Sequence, residues 1–290
     1  RQVGKTTLIQ HVLGPEIKTI VFDPTQDVGG AREDPELFLQ NHPPPLFLDE
    51  IQYAPELTAA IKRWVDARPQ SGQYVISGSQ NLMVLGGLAE SLAGRVAILD
   101  LPPMAGAELH HRAADDLLAR WVRGQEPGGE APFPPQAWPP ALWRGGYPGL
   151  IALPDNLVQT ALESYVRTYI ERDVRTLAAV GDLQLFGRFF GLLAAYTACE
   201  VNASQLGRDL GIDRKTAIRW LSVAEAMYQW LEVPAFTRTP AKRISGKNKG
   251  YLPDTGWVCF HQRIPDPDQI PRQPIYGRLV ETSVVKEIVN

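Results

Sequence analysis

Cysteine is nearly absent: the chain of 290 residues has two, Cys199 and Cys259. Two thiols cannot build a disulfide framework or a cysteine-rich zinc site, and neither has a CxxC neighbour, so a reducing compartment, the cytoplasm, is expected. Long apolar runs are lacking as well. The longest candidate, Phe189 to Cys199, is broken by Gly191, Tyr196 and Thr197 and falls short of the ~18 to 20 residues of a membrane span. There is no strong excess of one charge: with 21% charged residues and a formal net charge of -3, any attraction for nucleic acid must be local. There is no internal repeat, no initiating Met and no signal peptide, and the first residues stand inside a motif, so further chain is expected before Arg1.

What is present is patterned. This length and a 44% hydrophobic content suit two or three modules, since single cores stop growing near roughly 250 to 300 residues. Over the first hundred residues, apolar strand-like runs alternate with helical stretches, the pattern of a parallel sheet with crossover helices. Strands are expected at Thr19–Phe22, Pro45–Leu48, Gln73–Ile76 and Val96–Leu99, and helices at about Thr6–Leu13, Glu56–Asp66 and Leu82–Ala93. A Pro- and Gly-rich stretch from Gly124 to Pro140 reads as an extended loop or lid. Residues 156 to 228 turn helical, with Leu157, Leu162, Tyr165, Tyr169, Val174 and Leu177 near helical spacing. Short strands and turns follow, including Lys249–Leu252, then a last helix-like run from Arg278 to Val289.

The opening residues Gln2-Val3-Gly4-Lys5-Thr6-Thr7 end a G-x-x-x-x-G-K-[ST] phosphate loop whose first glycine would stand two positions before Arg1. Such a loop presents successive backbone N–H groups to a β-phosphate at a helix N-terminus, where the macrodipole favours anions. Lys5 adds a point charge for the β/γ oxygens, and Thr6 offers a hydroxyl to Mg²⁺. A GKT tripeptide alone is weak. About forty residues later an apolar run, Pro45-Leu46-Phe47-Leu48, ends in Asp49-Glu50. Burying that strand fixes its carboxyl end beside the loop, so Asp49 can hold the metal shell and Glu50 polarise the attacking water. The competing reading makes Asp49-Glu50 a helix cap; the upstream GKTT favours the nucleotide site. After the next strand, Ser79 or Gln80 would face the γ-phosphate, or Ser79 or Asn81 would cap a helix. Arg95 fits either phosphate neutralisation, in cis or across a subunit interface, or a structural ion pair.

Together, Gln2 to Thr7, Leu48-Asp49-Glu50-Ile51-Gln52, Ile76-Ser77-Gly78-Ser79, Ser91-Leu92-Ala93-Gly94-Arg95 with Leu101-Pro102-Pro103, Gly145-Gly146-Tyr147-Pro148, Tyr169 to Val174, Leu210-Gly211-Ile212 and Asp254-Thr255-Gly256 resemble prokaryotic AAA-type ATPases with a C-terminal DUF4143 domain. The resemblance runs in order along nearly the whole chain. It implies ATP rather than GTP, Mg²⁺-dependent hydrolysis, a winged-helix segment, and a C-terminal region like a restriction endonuclease. The expected fold is therefore α/β: a P-loop domain lacking its first strand over 1–123, a linker over 124–155, a helical and winged-helix domain over 156–250, and the start of an α+β domain over 251–290. Glu281 and Glu287 lie on the final helix, but with the sequence ending at Asn290 no metal ligand is assigned there.

Residues 202 to 221 read as helix, tight turn at Gly211 and second helix, with Leu206, Leu210, Ile212, Ala217, Ile218 and Leu221 packing the pair. Arg214, Lys215 and Arg219 would lie on the outer face. Residues 202 to 250 hold nine Lys and Arg against four Asp and Glu, with Lys242, Arg243, Lys247 and Lys249 in the segment expected to form the wing. This basic face contacts DNA or is a solvated face for domain packing or protein contact. Three functions compete: an ATPase switch, within a homo-oligomer or with a protein partner; a DNA-binding regulator or mobile-element protein whose nucleotide sets its state; and a toxin–antitoxin or defence component with a degenerate nuclease domain.

Overall fold

A computed structural model describes residues 2–78, 92–109, 117–125, 137–169, 182–239 and 246–289. The chain forms two compact units, Arg1–Leu101 and Pro102–Asn290, dividing earlier than the 123/124 boundary expected from composition. Among the described residues no helix is long and apolar enough to cross a membrane.

The first unit holds a parallel sheet in the order β1-β2-β3, formed by Lys18–Val21, Leu46–Asp49 and Tyr74–Ile76. All four residues of β2 are buried, which is why it reads as an uninterrupted apolar run: a central parallel strand is covered on both faces. Helix α1 (Lys5–Leu13) precedes the sheet, α2 (Pro35–Asn41) connects β1 to β2, and α3 (Leu57–Ala67) connects β2 to β3. Asp34 starts α2 by accepting from Leu37 N at 3.0 Å, with Pro35 in the first turn. Helix α3 buries Leu57, Ala60 and Ile61 in a core with Ile20, Phe22, Phe38, Leu39, Leu46, Leu48 and Ile51. Glu36 of α2 accepts from Arg63 Nε at 2.6 Å and Trp64 Nε1 at 2.8 Å, tying α2 to α3. Residues 96–99, expected as a fourth strand, pair with none of the described strands; Leu99 is 91% exposed. Of the expected helix at 82–93, residues 82–91 lie outside the described residues.

In the second unit come the short helices α4 (Gly106–Leu109) and α5 (Leu117–Val122), then α6 (Trp138–Arg144), α7 (Pro148–Ile151), α8 (Asp155–Tyr169) and α9 (Leu183–Ala195). The expected Gly124–Pro140 loop therefore gives way to helix at Trp138, where Pro139 and Pro140 fall in a first turn that needs no N–H from them; residues 126–136 are not described. The core is aromatic: Trp143, Tyr147, Tyr165, Phe186, Phe189, Phe190, Trp220 and Trp257 are all buried.

Gly145-Gly146 and Asp254-Thr255-Gly256 meet in this core. Asp254 is fully buried and accepts from Gly146 N at 2.6 Å while capping α12 (Thr255–His261) through Gly256 N at 2.9 Å. A Cβ on Gly145 would stand 2.1 Å from Asp254 Oδ1, so these two motifs serve packing.

A second sheet is antiparallel in the order β4-β6-β5, from Cys199–Glu200, Lys249–Tyr251 and Leu231–Val233. Between β4 and β5 lie α10 (Ala203–Leu210) and α11 (Arg214–Ala226). Asn202 caps α10 through Ser204 N and Gln205 N, Gly211 turns the chain at φ 72°, and Asp213 caps α11 through Lys215 N and Thr216 N. Leu206, Ala217 and Leu221 pack the pair, whereas Ile218, expected there, is 40% exposed. The inward position belongs to Trp220, set edge-on against Phe186 and Phe189 of α9. The last helix, α13, spans Tyr276–Val289.

Candidate functional site

Helix α1 begins directly after Gly4. Gln2 and Gly4 have φ of 58° and 88°, the left-handed positions that curl a backbone so that its N–H groups point to one side. Val3, Lys5 and Thr6 are half-buried and Thr7 is exposed on the first turn. A glycine serves at position 4 because the left-handed region costs a residue with a Cβ roughly 1 to 2 kcal/mol.

The next contact joins residues far apart in sequence. Asp49 closes β2 and is only 4% exposed. Its Oδ2 accepts from Thr6 Oγ1 at 2.6 Å, its Oδ1 accepts from Ser77 Oγ, and Oδ1 also takes Glu50 N at 3.0 Å. Parallel pairing fixes this cluster: β2 and β3 end side by side, Ser77 N donates to Leu48 O at 2.9 Å, and Ile51 N donates to Ser77 O at 3.1 Å. A buried carboxylate is tolerated because donors surround it.

Glu50 leaves the strand in the left-handed conformation, φ 58° and ψ 43°, a strained geometry for a non-glycine residue that persists only where neighbours hold it. Its Oε2 accepts from Gln52 Nε2. A hydroxyl and a carboxylate oxygen 2.6 Å apart, beside a phosphate-type loop, form a hard-oxygen set that fits Mg²⁺ shared with phosphate. Among the described residues no group of three or more His, Cys, Asp or Glu could hold a metal; a Mg²⁺ completed by phosphate and water needs none.

Ser79 and Gln80, the residues expected to face the γ-phosphate, lie outside the described residues, and Ser77, given no role by the sequence pattern, is the residue that meets Asp49. The signal was available: Ser77 is the first polar residue after the apolar end of β3, as Asp49 is at the end of β2. Arg95 makes a two-point pair with Asp66, Nε to Oδ1 at 2.5 Å and Nη2 to Oδ2 at 3.1 Å, and Nη1 donates to Ala93 O at 3.0 Å. That guanidinium holds the Asp66 carboxyl below the usual range. These contacts take Arg95 to α3 rather than to the Thr6–Asp49–Ser77 cluster.

On the second unit, Arg214, Lys215 and Arg219 are all exposed on α11, while Lys242 and Arg243 lie outside the described residues. Lys247 pairs with Glu200 at 3.0 Å and Lys249 with Glu281 at 2.7 Å. The Glu281 carboxylate also accepts from Tyr251 OH at 2.8 Å, and Glu287 accepts from Gly106 N at 2.8 Å. Both glutamates of the last helix thus have partners within the unit.

A model for an AAA domain matches residues 1–110, and one for a domain of unknown function, DUF8612, matches residues 136–268. The second match corrects the expectation of a DUF4143 domain: DUF8612 is what this C-terminal sequence fits. Two uncharacterized mycobacterial proteins, Mb2031c of Mycobacterium bovis and Rv2008c of Mycobacterium tuberculosis, are each 28% identical over 290 residues. Those alignments cover 99% of this chain but 60% of each relative's length. No solved structure matches. The AAA match falls on the region that carries the Thr6–Asp49 pair, and it supports an AAA-type ATPase family with a nucleotide-binding, ATPase-type domain at the N-terminal end of this chain.

Proposed function

We propose that the chain binds ATP with Mg²⁺ and hydrolyses it, and that the nucleotide state acts as a conformational switch for the region that follows. The 2.6 Å contact between Thr6 and Asp49 carries this reading, because it unites the phosphate-loop hydroxyl with the strand-end carboxylate. The metal would sit against these two residues and neutralise phosphate charge. The backbone of Gln2, Val3, Gly4 and Thr7 would cradle phosphate oxygens, with Lys5 adding its charge. Glu50 would take the proton of the attacking water, and Ser79 would face the γ-phosphate. Arg95 would serve phosphate only by leaving Asp66, as on assembly of a homo-oligomer. Adenine is favoured over guanine by the family resemblance and by the absence of an N-K-x-D motif. Two free thiols suit a cytoplasmic setting. In a protein carrying the whole phosphate loop, Lys5→Ala or Glu50→Gln should abolish ATP turnover; unchanged hydrolysis in both variants sinks the proposal.

A second reading is favoured by one observation, the strand order β4-β6-β5 around the helix pair α10 and α11, an arrangement that supports a winged helix. On that reading the chain is a DNA-binding regulator whose nucleotide sets its state, with Arg214, Lys215 and Arg219 contacting phosphates. Lys247 and Lys249 are engaged by carboxylates, which leaves the α11 cations the principal described candidates for that contact.

A further inference from the structure

We infer that Gln52 is a positioning residue for Glu50, one that holds the carboxylate in the orientation in which it receives the proton of the attacking water. The inference rests on the ATPase reading above and concerns a residue given no role there. Glu50 adopts the left-handed conformation and Ile51–Tyr53 follow as a single 3₁₀ turn, closed by Tyr53 N donating to Glu50 O at 3.0 Å. The turn is anchored on both sides of Gln52. Ile51 is fully buried in the sheet core, its N–H on Ser77 O at 3.1 Å, while Tyr53 O accepts from Arg32 Nε at 2.6 Å. Gln52 is thereby fixed between two held neighbours, and its Nε2 donates to Glu50 Oε2.

A side-chain amide is suited to this task, since it is neutral at every working pH and offers the anion a donor without competing for the proton. In the hydrolytic step the water oxygen bonds to the γ-phosphorus. The bond from phosphorus to the β,γ-bridging oxygen breaks, and its electron pair leaves on ADP. One water proton passes to the Glu50 carboxylate and the other stays on the phosphate product. With one oxygen of Glu50 engaged by Gln52, the other receives that proton at a set angle.

The test is steady-state ATP hydrolysis and Mg-ATP binding for wild type, Gln52→Ala and Gln52→Glu in the chain with its phosphate loop complete. Loss of one hydrogen bond to a charged group predicts a fall in kcat of roughly tenfold to a hundredfold in Gln52→Ala, with Mg-ATP affinity unchanged. Gln52→Glu keeps the shape but sets a second carboxylate beside the first. It should lower kcat and move the acid limb of the pH–rate profile upward, which a merely structural role would not do. Wild-type kcat and pH profile in both variants, or turnover faster than wild type, would overturn the inference. A wild-type protein that hydrolyses no ATP would instead remove the reading on which it rests.

Discussion

Replacing Thr6 by Val exchanges a hydroxyl for a methyl of nearly the same size, so it removes the donor to Asp49 while leaving the volume of the first turn of α1 intact. Asp49 would keep Ser77 Oγ and Glu50 N but lose the 2.6 Å bond at Oδ2. A hydrogen bond to a charged group contributes about 1.5 to 3 kcal/mol, and the same hydroxyl is the proposed metal contact. Mg-ATP affinity should therefore fall by roughly tenfold to 150-fold, while nucleotide binding in EDTA changes little. Thr6→Ser keeps the oxygen and should stay near wild type. Calorimetric titration of both variants, with Asp49→Asn and the double variant closing the cycle, gives the coupling energy directly; a value of about 1 to 3 kcal/mol is expected for residues in contact. Thr6→Val binding Mg-ATP as wild type does, with no coupling to Asp49→Asn, would refute the assignment of these two residues to one metal site.

His261 supplies a pH-dependent prediction. Packed against Trp257 and Phe190, its Nε2 has no hydrogen-bond partner among the described residues, and burial pulls its pKa down to about 4. A depressed base leaves the unfolded chain binding the proton first, so stability is full above pH ~6.5 and falls as pH drops toward 4. Between pH 7.5 and 5.5 the loss is about 1 kcal/mol, rising to about 3 below pH 4. Urea unfolding followed by tryptophan fluorescence should show that loss in wild type and not in His261→Phe; an equal pH slope in the two would contradict it. For the second functional reading, a triple Ala variant of Arg214, Lys215 and Arg219 should weaken binding to duplex DNA. The slope of log K against log salt should drop by up to about 0.9 per lost phosphate contact. No detectable binding by the intact protein at low salt would end that reading.

Much of the proposed nucleotide site was legible in the sequence because its parts obey local rules. Gly4 precedes a helix start, and an apolar run ending in Asp49-Glu50 is what a covered central strand looks like where it emerges at the sheet's edge. The tight turn at Gly211 could be read for the same reason: a left-handed glycine acts within three residues of itself. Other assignments needed partners that only folding brings together. Val96–Leu99 has strand composition, but apolar residues supply no neighbouring backbone to hydrogen-bond, and the segment pairs with no described strand. Helical spacing alone could not choose between Ile218 and Trp220; the ring faces of Phe186 and Phe189 decided it. The cations Lys247 and Lys249 counted toward a basic wing until Glu200 and Glu281 were brought opposite them.

The sequence by itself determined which residues are suited to the proposed phosphate and metal chemistry, since that suitability depends on side-chain type and on local backbone. Only the tertiary structure decided that Thr6, Asp49 and Ser77 share one carboxylate-centred cluster and that Gln52 holds Glu50. The register of β2 against β3 joins the first, and a strained turn anchored by Ile51 and Arg32 sets the second.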